Sequence, residues 1–486
     1  MSLKQKTLIN TGIVFGASVI NRIINFISKI VLAILLKPSD FGLVGIAGFV
    51  INTLALFKEM GLEAALIYTK REIKKAADTA FIVLLIIAVL LSAIAFLSAP
   101  LVASFYEERL LSPIIRTLSL TFIFTALIIV PHALFTKELQ FKKITMVQIF
   151  SAIVGVSSTI TLAYINFGVW SLVYGGLIGG FAGLILMYMV SDWRPNFSFD
   201  KEVAKELIGY GKFMFGTTMA VFFIQNLDNA VVGKVMGMSM LGAYIMAYSI
   251  ANMPATSITN VTHIVTFPTY SKISDNRKDL RKAYLEVFKY ISLFSIPLAF
   301  GILAISSEFI TVVLKEKWLP AIPALQILCF FGLFRSLAGT TGEVFKAVGK
   351  PSILFKSYAA QLVAIVILLY PMTLWYGIIG TSITVTATLF FVMLWQLKKI
   401  SEILEIRGIA IIKILAPYIA ASLMMFLTLY LSYTYSGYNI LYLILRIMAG
   451  FLVYSVSLYM LTKGEIWADI KELKRLVTSR VKKYES

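Results

Sequence analysis

The chain of 486 residues is 59% hydrophobic and 14% charged, with a mean hydropathy of +0.86. Apolar side chains in that proportion exceed what the core of a soluble protein of this length can hide, which places the chain in a bilayer. A net charge of +19 would suit a nucleic-acid binder, but the 44 Lys and Arg are spread along the chain without forming one patch, so no nucleic-acid partner is expected.

Crossing about 30 Å of hydrocarbon takes roughly 20 apolar residues per helix. Fourteen such runs follow one another, at approximately 11–36, 41–66, 79–104, 113–135, 145–165, 167–190, 208–235, 240–267, 286–314, 320–345, 353–372, 375–396, 411–432 and 439–462. The predicted fold is an all-α polytopic membrane protein of about 14 transmembrane helices. The first run is too long for a signal-peptide core and carries Arg22 and Lys29, so it reads as a membrane helix and not as a cleaved leader.

With the N-terminus inside, the outer segments hold only Lys37, Arg109, Lys315 and Lys317. The inner segments hold the clusters Lys70, Arg71, Lys74 and Lys75, then Lys272, Arg277, Lys278, Arg281 and Lys282, and the basic tail Lys471 to Lys483. This alternation is the positive-inside pattern, and it predicts a multi-pass protein of the cytoplasmic membrane with both termini in the cytoplasm. The tail reads as a basic amphipathic helix lying on anionic lipid.

Cys329 is alone, and His132 and His263 have no second ligand nearby in sequence, so no disulfide or metal site is expected. The loops are too short for a soluble catalytic domain, and the chain is not expected to be an enzyme. No cofactor is implied beyond a coupling cation or proton, which the sequence leaves open.

A shift of 200 residues aligns Phe15-Gly16 with Phe215-Gly216, Ser39 with Ser239, Gly42 with Gly242, Ala47 with Ala247 and Asn52 with Asn252. A slightly larger offset brings Gly168 to Gly377. Six helices per repeat is an even number, so both halves enter the membrane in the same sense, related by a pseudo-two-fold axis along its normal. The expected organisation is a first lobe at 1–190, a cytoplasmic linker at 191–207, a second lobe at 208–396, an added helix pair at 397–462 and a tail at 463–486. Two-lobed repeats of this kind suit alternating access about a site between the lobes.

In the first run Ser18, Arg22, Asn25 and Lys29 recur at spacings of four, three and four, which is one helix face. A charge near mid-bilayer costs about 2.5–3.5 kcal/mol on insertion scales, so these cations face either a cavity or a packing partner. The repeat partner carries Gln225, Asn226, Asp228 and Asn229 at the same depth. The next run adds Tyr244, Tyr248, Asn252, Thr256, Thr259 and His263 on one stripe, suited to sugars or to interhelical hydrogen bonds. Asn52, Lys58, Glu59 and Glu63 belong to the second run and its cytoplasmic end. A guanidinium donates two parallel hydrogen bonds to phosphate, which suits Arg22 and also Arg335, with Glu343 two turns further on. Asp228 either pairs with Arg22 or Lys29 in an empty cleft or carries a coupling ion. Gly175, Gly179 and Gly183 recur every four residues, a signature of close helix packing, and Pro254 and Pro297 fall within spans.

The stretches LLKPSDFGLVGIAGFV, MGLEAALI, TKELQFKKI, FGVWSLV, WRPNFSF, NLDNAVVGKVMGMSMLGAYIMAYSI and FPTYSKI, in that order over residues 1 to about 400, resemble the Wzx-like polysaccharide transporters. These belong to the multidrug/oligosaccharidyl-lipid/polysaccharide exporter superfamily, and the likeness is to its colanic-acid and teichuronic-acid exporter branch. The resemblance implies a V-shaped pair of six-helix lobes and a flippase for a polyprenyl-diphosphate-linked oligosaccharide, acting beside membrane lipids, a polysaccharide polymerase and glycosyltransferases. Together with the local reading, Arg22, Asn25, Lys29 and Arg335 are candidates for the diphosphate, and Gln225, Asn229, Tyr248, Asn252 and Thr256 for the sugars. Asp228 and Glu343 are candidates for coupling or gating. A multidrug or cation antiporter of the same fold is the alternative, with a membrane polysaccharide polymerase behind it.

Overall fold

The computed structural model describes residues 3–58, 62–68, 72–204, 215–432 and 439–464. Side chains are described for these except at 3–15, 17, 19, 64, 215–218, 254 and 256–265. The described secondary structure is helical, as hydrocarbon demands of a backbone that has to satisfy its own hydrogen bonds. In chain order the helices are α1 (Leu3–Leu35), α2 (Pro38–Lys58), α3 (Leu62–Tyr68), α4 (Ile73–Tyr106), α5 (Leu111–Leu118), α6 (Leu120–Lys137), α7 (Phe141–Tyr164) and α8 (Val169–Val190). They continue with α9 (Phe215–Lys272), α10 (Arg277–Phe309), α11 (Ala321–Ala347), α12 (Pro351–Leu404), α13 (Gly408–Leu431) and α14 (Ile440–Thr462).

Among the described residues eleven helical segments are long and apolar enough to cross a membrane. The sequence reading counts fourteen runs, and two of its divisions fall where the backbone leaves the helix. Within α9 the angles at Gly237 (φ 79°, ψ 172°) and within α12 those at Gly377 (φ 58°, ψ −143°) are non-helical, so each of these elements is two helices meeting at a kink. Helix α1 is not among the eleven.

The repeat is written in the backbone turns. Positive φ recurs at Glu107 and Lys315, at Leu139 and Gly349, and at Gly168 and Gly377, each pair about 210 residues apart. Gly168 has φ 57° and ψ −135°, close to the angles of Gly377. After Leu139 and after Gly349 the same hydrogen bond closes the turn, Gln140 N to Phe135 O and Lys350 N to Phe345 O, both 2.8 Å. Glycine takes this conformation without steric penalty.

The helices group into two compact units, residues 1–246 with 358–384 and residues 247–357 with 385–486, and the division runs through α9 and α12. In the first unit α1 packs on α7, and α7 on α8 along the glycine series. A Cβ on Gly179 would stand 2.7 Å from the Cα of Gly155, and one on Gly183 3.0 Å from Ser151 Cβ. A Cβ on Gly175 would overlap Thr159. Only glycine permits this approach, and Ser151 Oγ then donates across the seam to Gly179 O at 2.7 Å. The linker stretch lies against the start of α4: Trp193 Nε1 donates to the buried Asp78 at 3.3 Å, and Asp200 N donates to Thr79 Oγ1 at 3.2 Å.

In the second unit α10 packs on α11 and α13, and α13 on α14. Buried Arg446 of α14 pairs with buried Glu308 of α10 and donates to the carbonyl of Leu429 in α13. Tyr454 Oη adds a 2.8 Å bond to Leu293 O. A charge in an apolar run is a signal in each case, but nothing in the sequence pairs Glu308 with Arg446, 138 residues away.

Candidate functional site

Helix α1 carries its polar face as the spacing requires, but the face divides. Asn25 and Lys29, with Ser28, line a cavity of about 460 Å³ in the first unit. Its other walls come from α2, α7 and α8, where Gly155, Gly176, Gly179 and Gly180 leave the space that larger residues would close. Arg22 lies one turn before this lining and has no ion partner among the described residues. Asn25 also donates to Asn21 O at 2.7 Å, one turn back along α1.

The second polar cluster is arranged differently. Asp228 is 2% exposed and accepts from Tyr244 Oη at 2.6 Å and from Asn229 N at 2.8 Å. Of the two readings the sequence leaves open, pairing with Arg22 or Lys29 is not the arrangement seen among the described residues: both carboxylate oxygens accept from neutral donors. Tyr244 is fully buried, on the far side of the Gly237 break, so the bond ties the two arms of α9 together. Gln225, Asn226 and Asn229 are half-buried, and Asn226 donates to Phe222 O at 2.9 Å.

The shift of 200 residues carries Ser28, Lys29 and Val44 onto Asp228, Asn229 and Tyr244. The first set lines the cavity, whereas in the second the phenol and the carboxylate fill the corresponding position with each other. Among the described residues the duplication therefore places a basic chamber lining at one set of positions and a closed acidic contact at the matching set.

In the second unit Arg335 donates to Tyr248 Oη at 3.4 Å, and the Tyr248 ring lies 5.3 Å from that of Phe331. Gly332 is pressed against the carbonyl of Ala251 beside Asn252, which brings Arg335, Tyr248 and Asn252 into one neighbourhood. Glu343 pairs with Lys346 at 2.9 Å, one turn further along the same helix. Thr256, Thr259 and His263 lie on α9 with side chains outside the described residues, and Glu59 and the tail 465–486 lie outside them altogether.

Several polar contacts escape a reading by spacing alone. His132 Nδ1 meets Glu63 Oε1 at 2.7 Å, joining α6 to α3. Lys234 Nζ meets Glu107 Oε1 at 2.8 Å and lies 5.2 Å from the centre of the Phe105 ring, while Tyr106 Oη donates to Ala230 O at 3.3 Å. The Lys234 ammonium holds the Glu107 carboxyl below the usual carboxylate range. The aromatic pair Phe105-Tyr106 beside Glu107 was the available signal in the sequence.

Broken membrane helices, a duplicated backbone and a basic chamber in the first half define a multi-pass membrane protein built from two related halves. A family profile described as polysaccharide biosynthesis protein matches residues 31–323, and the chain belongs to that family. The teichuronic acid biosynthesis protein TuaB of Bacillus subtilis (strain 168) is 26% identical over 337 residues, 69% of each chain. The lipopolysaccharide biosynthesis protein WzxC of Escherichia coli (strain K12) is 25% identical over 367 residues, 73% of each chain. The succinoglycan biosynthesis transport protein ExoT of Rhizobium meliloti (strain 1021) is 25% identical over 332 residues, 68% of this chain and 67% of its own.

Among solved structures, the lipid II flippase MurJ in an inward closed conformation aligns with a TM-score of 0.75 at 16% identity, covering 93% of this chain and all of its own. An inward-facing multidrug resistance transporter of the MATE family in the MOP superfamily aligns at 0.62 and 17% identity, covering 80% of this chain and 96% of its own. These likenesses show the two-lobed fold expected from the internal duplication.

Proposed function

We propose that the chain is a flippase that carries a polyprenyl-diphosphate-linked oligosaccharide from the inner to the outer leaflet of the cytoplasmic membrane, for assembly of a surface polysaccharide. The observation that carries this reading is the chamber on α1: an ammonium and an amide, Lys29 and Asn25, face open space inside a membrane helix bundle of the polysaccharide biosynthesis family. A bare diphosphate in hydrocarbon is prohibitively unstable, and a cavity with cationic donors replaces its water.

In this reading Arg22, Asn25 and Lys29 hold the phosphates, with Arg335 contributing from the second half. Gln225, Asn229, Tyr248, Asn252 and Thr256 meet the sugars. The halves 1–190 and 208–396 rock about the site, with both termini in the cytoplasm and no bond made or broken in the cargo. Asp228 and Glu343 are the coupling or gating groups, through a cation or a proton. An outward-moving anion also gains about 2.3 kcal/mol per charge per 100 mV from an inside-negative potential.

The test is leaflet accessibility of a polyprenyl-diphosphate sugar in proteoliposomes. Wild-type protein is expected to expose the probe on the opposite face. Arg22→Ala and Lys29→Ala are expected to insert normally and lose translocation. Unchanged transport in both variants would remove the phosphate clamp, and no transport by the wild type would remove the function.

A further inference from the structure

The chamber beside Lys29 is amphipathic in a way that identifies which part of such a cargo it fits. Its polar contribution comes from α1, as Asn25, Ser28 and Lys29. Across from them, α7 and α8 present glycine backbone with Ala152, Val156 and Leu172. Two hydroxyls also line it, but their protons are already used within the bundle: Ser151 donates to Gly179 O and Thr159 to Gly155 O, both at 2.7 Å. A sugar is ringed with hydroxyls that each require partners, and burial without them costs free energy. These walls offer few. An anion carrying a branched hydrocarbon asks for what they do offer, one cationic end and a close-fitting apolar remainder.

We propose that this cavity seats the isoprene units nearest the diphosphate of a prenyl-diphosphate lipid, with Lys29 and Asn25 at the adjoining phosphate, and that the sugars lie outside it. The inference rests on the flippase reading and deepens it. Hydrocarbon gains little by moving from lipid into an apolar cavity, because both environments are dry. The cavity therefore selects by shape: a branched, unsaturated chain follows a glycine-floored space that a straight acyl chain leaves partly empty, with loss of contacts. Its volume of about 460 Å³ lies within the usual range for a small-molecule site and is small for an oligosaccharide.

Gly176 supplies a clean test, because a Cβ there meets nothing within 4 Å, so a larger side chain enters the cavity without disturbing the α7–α8 seam. At Gly180 the nearest atom to such a Cβ is the Phe124 ring at 3.8 Å, an ordinary contact. The full chain in lipid nanodiscs is titrated with a short-chain prenyl diphosphate and with a nucleoside-diphosphate hexose, which has diphosphate and sugar but no isoprenoid. Gly176→Leu and Gly180→Leu are expected to weaken the prenyl probe about tenfold, leave the hexose probe unchanged and unfold no earlier than wild type; Lys29→Gln is expected to weaken both probes.

Unchanged prenyl binding in both leucine variants overturns the proposal, as does selective loss of the hexose probe, which would assign the cavity to sugar. Equal competition by a diacyl phospholipid overturns it as well. Gly176→Ala serves as the milder variant, with a smaller loss of the prenyl probe expected and no loss counting against the proposal. A chain that binds the prenyl probe in this way yet moves no lipid-linked sugar keeps this inference and loses the flippase reading. A chain that flips its cargo while Gly176→Leu and Gly180→Leu both bind the prenyl probe normally does the reverse.

Discussion

Gly42 and Gly242 make the same contact in opposite directions. A Cβ on Gly42 would overlap the carbonyl oxygen of Met238, and a Cβ on Gly242 would overlap that of Pro38. The shift of 200 residues that relates the two glycines also relates Pro38 to Met238, so the contact is its own image under the repeat. Two helix beginnings touch backbone to backbone because neither carries a side chain at the crossing, the way small residues bring membrane helices together.

That reciprocity predicts equal sensitivity. Gly42→Ala and Gly242→Ala each force a methyl group into a carbonyl, and each is expected to destabilise by roughly 1–3 kcal/mol, as overpacking does. Thermal unfolding in detergent should fall by a similar amount for both. Gly176→Ala, in open space, should be neutral or slightly stabilising because alanine is the better helix former. A large difference between the first two variants would break the symmetry argument.

The Asp228–Tyr244 bond ties the arms of α9 across Gly237. Tyr244→Phe leaves a buried carboxylate oxygen without its donor, and a loss of roughly 1–3 kcal/mol is expected. Asp228→Asn keeps an acceptor facing the phenol and should cost less. Unfolding temperatures of the two variants in the same detergent decide the order; the opposite ranking would mean that the charge itself stabilises the fold.

The Glu308–Arg446 pair should behave as a buried ion pair in an apolar setting. Removing one partner strands a charge, so Arg446→Met alone is expected to lower stability by about 3–5 kcal/mol. The double variant Glu308→Leu with Arg446→Met should recover most of that loss, since replacing both partners by apolar groups is often neutral. A double-mutant cycle on detergent-solubilised protein measures the coupling, and additive losses would show that the pair does not act as a unit.

Glu107 and Lys234 give a pH signature. The folded carboxyl titrates below its usual value because the ammonium donates to it. The contribution of the pair is therefore fully present above the ordinary carboxylate range and is lost as pH falls through the lowered folded value. The difference in unfolding temperature between wild type and Glu107→Gln should be largest near neutrality and shrink below about pH 4. Both groups are exposed, so added salt should shrink it too.

Much of this protein is legible in its residues. Apolar runs of membrane length, cations concentrated in alternate segments and the pairing of Gly42 with Gly242 and Gly168 with Gly377 all express rules that act locally or by simple repetition. So does the four-residue glycine series, because the separation of residues along one helix face is set by the helix itself. Spacing also puts Asn25 and Lys29 on one face, and the structure places them on one cavity wall.

What the face looks at is another matter. That Lys29 faces a chamber floored by Gly155 and Gly176 and that Arg446 finds Glu308 are decided by helices far apart in sequence, and that Asp228 accepts from Tyr244 is decided by the bend at Gly237 between them. Sequence by itself determined the apolar helices, since their transfer from water to lipid depends on the composition of one segment at a time, and the duplication, since matching residues stand at a fixed offset. Only the tertiary structure decided which polar groups meet, because a buried charge settles on whichever donor or acceptor packing brings within reach, and no periodicity along one helix records its neighbour.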